Sequence, residues 1–137
     1  MNIPVIDKSN YLKGLLITAR KDNQLADSEK KIIRSIAEKL GFASDFYEET
    51  IQNLLANKYI DEGPIKFSDI KIAESFIIDG LRLAYSDSPV ESGELEWLRR
   101  TAIENGINEK WFDDKLQTFK TNAGNLLITD FALLSII

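Results

Sequence analysis

At 137 residues the chain has the length of one ordinary domain, and 44% hydrophobic with 28% charged residues places it among globular chains, away from disordered, collagen-like and membrane-spanning classes. It holds no cysteine and no histidine, which excludes disulfides, thiolate nucleophiles and Cys- or His-based metal sites and removes the commonest general base. The net charge of −5 argues against nucleic-acid binding, since the nearest basic run, Arg20-Lys21 with Lys30-Lys31, is broken up by Asp22, Asp27 and Glu29.

Residues 1–10 lack the charged and apolar regions of a signal peptide, so the expected location is the cytoplasm. Leu12, Leu15, Leu16 and Ala19 recur at helical spacing and predict a first helix. An acidic stretch over residues 22–29 follows, and within it Asp27 is a residue type that caps a helix start. Ile32, Ile33, Ile36, Ala37 and Leu40 then form a core-facing stripe, with charged residues 29–39 on the solvated face, until Gly41 permits the left-handed turn that ends the second helix. A third helix is expected from about Ser44, burying the aromatic pair Phe46-Tyr47 ahead of Ile51.

Gly63-Pro64 marks a connector, after which Ser68 is the predicted cap of a long helix through about Tyr85. From there the pattern of the first half returns. Shifting the sequence by 65 places superposes Leu16 on Leu81, Ala19 on Ala84, Asp22 on Asp87, Glu29 on Glu94, Arg34 on Arg99, Ala37 on Ala102 and Gly41 on Gly106 without a gap. Similar chemistry fills the positions between, with Leu25 on Val90, Ile33 on Leu98, Phe46 on Trp111, Tyr47 on Phe112 and Ile51 on Leu116. The expected architecture is therefore all-α, one domain over residues 1–137, in which a three-helix unit at about 10–58 is duplicated at about 68–123. In the second unit Ser92 takes the place of Asp27 as cap, Asn108 opens the third helix, and Trp97 and the pair Trp111-Phe112 are core aromatics. A seventh helix over about 125–137 is expected to lie in the groove between units. An exposed apolar stripe offered to a partner is the competing reading of this tail, which at twelve residues from 126 to 137, interrupted by Asp130, is too short to span a bilayer.

The loop between the first two helices of each unit gathers three carboxylates: Asp22, Asp27 and Glu29 in one, Asp87, Glu91 and Glu94 in the other. Two readings stay open. Carboxylates on a loop entering a helix suit a hard cation such as calcium or magnesium, although three fall short of the six to eight oxygens calcium prefers and the spacing is not that of an EF-hand. Alternatively, Asp27 or Ser92 is a cap, Glu29 or Glu94 favours the positive end of the helix dipole, and Asp22 or Asp87 closes a turn.

An apolar helix ending in Ala-x-x-Asp, an apolar anchor three residues on, and a Glu opening a helix that ends in Ala-x-x-x-Gly resemble the TerB-like family. That family is named for tellurite resistance and related to the helical domain of a membrane-anchored DnaJ-type co-chaperone. The resemblance spans residues 12–119 and departs from the family pattern at Asn23 and Ser88, where glycine is usual. It implies duplicated helical units and a non-enzymatic role in bacterial stress-related, membrane-associated complexes. It also implies divalent-metal binding by Asp22, Glu29, Asp87 and Glu94, with Asp27 and Glu91 as additional candidates. Binding of the tellurite oxyanion itself is not implied, because the acidic loops would repel it.

The expectation is thus a non-catalytic module with protein partners, in a peripheral membrane complex or free of the membrane. A helical scaffold that binds protein without metal is the alternative. No phosphate-cradling glycine loop and no nucleophile paired with a base point to an enzyme.

Overall fold

A computed structural model of the chain describes residues 2–19, 27–56, 63–86, 92–121 and 132–136. Among these, every regular element is helical: α1 (Val5–Ala19), α2 (Asp27–Lys39), α3 (Ser44–Ala56), α4 (Ile70–Ala84), α5 (Ser92–Glu104), α6 (Glu109–Thr121) and a 3₁₀ turn at Ala132–Ser135. No described helix is long and apolar enough to cross a membrane.

The bounds of α4, α5 and α6 lie 65 residues after those of α1, α2 and α3 at both ends. The turns that end α2 and α5 match as well. Gly41 and Gly106 adopt φ of 92° and 77°, which a Cβ would oppose. Their amides, and those of Phe42 and Ile107 beyond them, donate back to the carbonyls of Glu38, Ile103, Ala37 and Ala102 at 3.0–3.1 Å, closing the last turn of each helix. One ion pair recurs too: Arg34 reaches Glu48 at 2.5 Å and Arg99 reaches Asp113 at 2.8 Å, in each case tying the second helix of the half to its third.

α1 and α4 pack against each other at the centre, α2 lies on α1 and α5 on α4, and α3 and α6 are attached outside α2 and α5. The predicted core stripes are buried: Leu12, Leu15, Leu16 and Ala19 on α1, Ile32, Ile33, Ile36 and Ala37 on α2, and Leu81 and Ala84 on α4, where Ile77 joins them. Trp97 is buried as expected. At the crossing of α1 and α4 the backbones come so close that a Cβ on Gly14 would stand 2.5 Å from the Phe76 ring, and the Tyr11 and Phe76 rings meet edge to face at 5.4 Å.

Several expectations are corrected. α1 begins at Val5, seven residues before the first predicted apolar position, because the Pro4 carbonyl accepts the first helical bond, from Lys8. The cap of α4 is Asp69, not Ser68. Asp69 has extended backbone (φ −140°, ψ 136°) and accepts from the Lys71 amide at 2.7 Å, whereas Ser68 gives both its amide and its hydroxyl to the buried carboxylate of Asp7. Of the two aromatic pairs, only Tyr47 and Phe112 are buried. Phe46 is 50% exposed and Trp111 half-buried, since neighbours on a helix point about 100° apart. Glu29 is buried rather than on a solvated face.

The described part of the carboxyl-terminal segment is a 3₁₀ turn, with Leu133 fully buried against α4. It belongs to the core. Its anchor is Asp79, an acid within an apolar run of α4. The amides of Ala132 and Leu133 donate to the Asp79 carboxylate at 2.7 and 3.1 Å, and so does the Tyr11 hydroxyl, at 2.5 Å. Because the phenol's one proton is committed there, Ser75 donates to Tyr11 at 2.9 Å. Burial pushes the Asp79 carboxyl above its ordinary value despite these bonds, and desolvation together with Asp79 raises Tyr11 well above the usual tyrosine range, so the phenol stays a donor.

The connector is fastened in the same manner. Ser68 lies 65 residues before Leu133, and their amides end on buried aspartates, that of Ser68 on Asp7 of α1 and that of Leu133 on Asp79 of α4. Asn105 adds a second tie, accepting from the Phe67 amide at 2.8 Å and donating to the Ile65 carbonyl at 2.7 Å.

Candidate functional site

Of the six acids picked out as metal ligands, Asp22, Asp87 and Glu91 lie outside the described residues. Asp27 is exposed at the start of α2. Glu29 and Glu94 occupy matching places in the first turns of α2 and α5, and both are nearly inaccessible, at 3% and 4% exposure. Among the described residues, no three acids come together closely enough to hold a metal ion.

A different surface stands out. Between α1 and α3 runs a groove of about 310 Å³ lined by Ser9, Leu12 and Lys13 from α1 and Phe46, Thr50 and Asn53 from α3. Helical spacing builds it. Tyr47 and Ile51 turn into the core, which leaves Phe46, Thr50 and Asn53, four and three residues apart, on the adjoining stripe. Ser9 and Lys13 form the facing stripe of α1, and Ile6, 67% exposed, continues it one turn toward the amino terminus. Phe46 stacks on Phe42 with ring centroids 5.2 Å apart and an interplanar angle of 27°, so the α3 wall is an aromatic pair anchored in the core. Among the described residues of the lining, Lys13 alone is charged.

The second half carries the matching groove. Sixty-five places after Ser9, Lys13, Phe46 and Thr50 stand Glu74, Ile78, Trp111 and Lys115, and these line a groove of about 300 Å³ between α4 and α6. The two grooves differ in what else lines them. The chain's own Ala132 and Ile136 supply a further wall of the second, and the Lys115 ammonium lies 5.5 Å from the Trp111 ring centroid. Among the described residues, α1 and α3 supply the lining of the first. α6 also packs directly on α4, while α3 has no comparable contact with α1.

Of the groove the sequence singled out only Leu12 and Phe46, both as core positions, and of the Tyr11–Asp79 network no residue. Asp79 carried a usable signal, since an acid inside the run Phe76-Ile77-Ile78-Asp79-Gly80-Leu81 must be partnered if that face is buried. The groove carried a weaker one: at the positions of Glu74 and Lys115 the first half has the uncharged Ser9 and Thr50.

Compared with family models, with curated proteins and with solved structures, the chain finds no match.

Proposed function

We propose that this chain is a non-catalytic helical interaction module that binds a partner protein through the groove between α1 and α3. The observation that carries this reading is the largely apolar groove between α1 and α3, with half-exposed Phe46 in its lining beside Leu12 and Lys13. An aromatic side chain held at a groove surface by packing behind it provides contact area at small entropic cost. The chain is a tandem duplication of a three-helix unit, supported by the common spacing of helix bounds, of the Gly41 and Gly106 turns and of the two arginine ion pairs. Its sequence resembles TerB-like, tellurite-resistance-type modules, which supports a role in the bacterial cytoplasm or in a complex at the membrane surface.

The test is affinity capture from a lysate of the native cells by the wild type, by Phe46→Ser and by the control Ile103→Ser, whose exposed side chain lies on α5. A partner held by the wild type and the control but lost by Phe46→Ser is the expected outcome. Retention by Phe46→Ser would remove the groove from the account.

A second reading, a weak calcium or magnesium site at each acidic loop, is favoured by one observation: Glu29 and Glu94 are buried at matching positions directly after those loops. An amide NMR titration with each cation tests it. Saturable shifts confined to residues near Asp22 and Asp87, lost in the Asp22→Ala, Asp87→Ala double variant, are its expected signature. Silence at millimolar metal would leave the acids as caps and turn formers.

A further inference from the structure

The sequence contains one Asn-Gly pair, Asn105-Gly106, and it stands where the first half has Leu40-Gly41. In such a pair the backbone nitrogen of the glycine can attack the carboxamide carbon of the asparagine side chain, because no Cβ on the glycine crowds the five-membered ring that forms. The new N–C bond forms as ammonia leaves, the amide proton passes to solvent, and water then opens the succinimide to aspartate or isoaspartate. Water is the one co-reactant. Asn105 is half-buried and Gly106 exposed, so solvent reaches the pair.

In the folded chain both reacting groups are engaged elsewhere. The Gly106 amide donates to the Ile103 carbonyl at 3.0 Å, and the Asn105 amide donates to the carbonyls of Thr101 and Ala102 at 3.2 and 3.1 Å. The Asn105 carboxamide accepts from the Phe67 amide at 2.8 Å and donates to the carbonyls of Ile65 and Thr101 at 2.7 and 2.8 Å. Ring closure needs a near-attack approach of nitrogen and carbon, and these bonds oppose it for as long as the connector stays in place.

We infer that Asn105 is a site of spontaneous deamidation controlled by the connector at 65–68, and that the reaction releases that connector irreversibly. The irreversibility follows from the bonds. An aspartate at 105 keeps an acceptor for the Phe67 amide but loses both donors, and it sets a carboxylate oxygen against the Ile65 and Thr101 carbonyl oxygens. Isoaspartate adds a methylene to the main chain at the same point. The connector packs on the crossing of α1 and α4: Ile65 and Phe67 are buried, and the Phe67 ring lies 6.1 Å from that of Tyr11 and 5.1 Å from that of Phe76. Leu40 has no carboxamide, so the first half has no equivalent reaction at this position.

Peptide mapping by mass spectrometry of the full chain, aged at mildly alkaline pH, follows the replacement of NH2 by OH at each asparagine. Product at Asn105 is expected, formed roughly a hundredfold more slowly than in the urea-unfolded chain, because several hydrogen bonds must open first. Ser68→Ala removes the hydroxyl bond that holds the connector to Asp7 and should speed the folded-state reaction roughly tenfold. Ile51→Val, a mild core truncation on α3, should leave the rate unchanged. The aged product, separated by its added negative charge, should show faster hydrogen exchange at Phe67 and Ser68 than the unaged chain.

Equal rates in the folded and unfolded chain would overturn the inference, since the connector would then control nothing. So would the absence of product in folded Ser68→Ala after many times the interval in which the unfolded chain converts. Equal acceleration by Ile51→Val and Ser68→Ala would replace connector release with unfolding of the whole chain. Product whose exchange at Phe67 and Ser68 is unchanged would overturn the release.

Discussion

The two halves of this molecule share a helical frame and diverge where their residues meet something outside it. Where α1 crosses α4, each half contributes an aromatic and a smaller residue at matching positions: Tyr11 with Gly14, and Phe76 with Asp79. The Phe76 ring closes on Gly14, an apolar contact. Across the same crossing the Tyr11 hydroxyl meets Asp79, a polar contact that also holds the tail. A matched frame thus accommodates one dry contact and one hydrogen-bonded one, and the polar side is the one with a chain segment to fasten. The grooves differ in their lining too: among the described residues, Ala132 and Ile136 of the tail line the second and no tail residue lines the first.

The largest effect is expected on the dry side. Phe76→Ala should cost about 3–5 kcal/mol in urea denaturation, by the cavity it leaves. Gly14→Ala should cost about 1–3 kcal/mol by overpacking, and markedly less in the Phe76→Ala background, since the two share one space. Additive losses would show that the close approach is not what requires glycine.

The polar side should respond next. Asp79→Ala strands the Tyr11 hydroxyl and two amides and should cost roughly 3 kcal/mol, with loss of hydrogen-exchange protection at Ala132 and Leu133. Its pH dependence has a definite sign. Because burial raises the folded pKa of Asp79 above the ordinary 3.8, its contribution to stability is fully present below the unfolded value and is lost as pH rises through the folded value. Asp79→Asn should therefore abolish a component of stability that declines with rising pH in this window. An unchanged profile would show that the site does not titrate in the folded chain.

Smaller still is the effect at Thr101, a fully buried residue of α5 whose hydroxyl has no hydrogen-bond partner among the described residues and whose counterpart in α2 is Ile36. Thr101→Val removes an unsatisfied group at nearly constant volume and should stabilise the chain by about 1 kcal/mol. Destabilisation would mean that the hydroxyl has a use the geometry does not display. Replacing Arg34 should change least, since its ion pair with Glu48 is exposed on both sides.

What could be read from the sequence follows from the range of each interaction. The stripes of α1, α2 and α4 were legible because burial repeats at the helical period, and Gly41 and Gly106 because only a few residues tolerate their backbone. Ser68 was misread because its partner, Asp7, lies 61 residues away, while the capping preference of Ser is local. Phe46 was misread because hydrophobicity does not say which of two adjacent aromatics faces inward. The tail was ambiguous because the same apolar residues serve a core or an interface, and the Asp79 bonds that decide it are tertiary. Asp22, Asp87 and Glu91 lie outside the described residues, so of the acidic loops only Asp27, Glu29 and Glu94 can be compared with expectation.

The central claim is that the α1/α3 groove, with exposed Phe46 in its lining, is the binding surface, whereas its counterpart between α4 and α6 is not. Amide NMR titration with a small apolar probe, isobutanol, compares them within one molecule. Shifts concentrated at Ser9, Lys13 and Thr50, and clearly smaller at their counterparts Glu74, Ile78 and Lys115, are the predicted result. Equal shifts in both grooves, or larger ones beside Trp111, would contradict it.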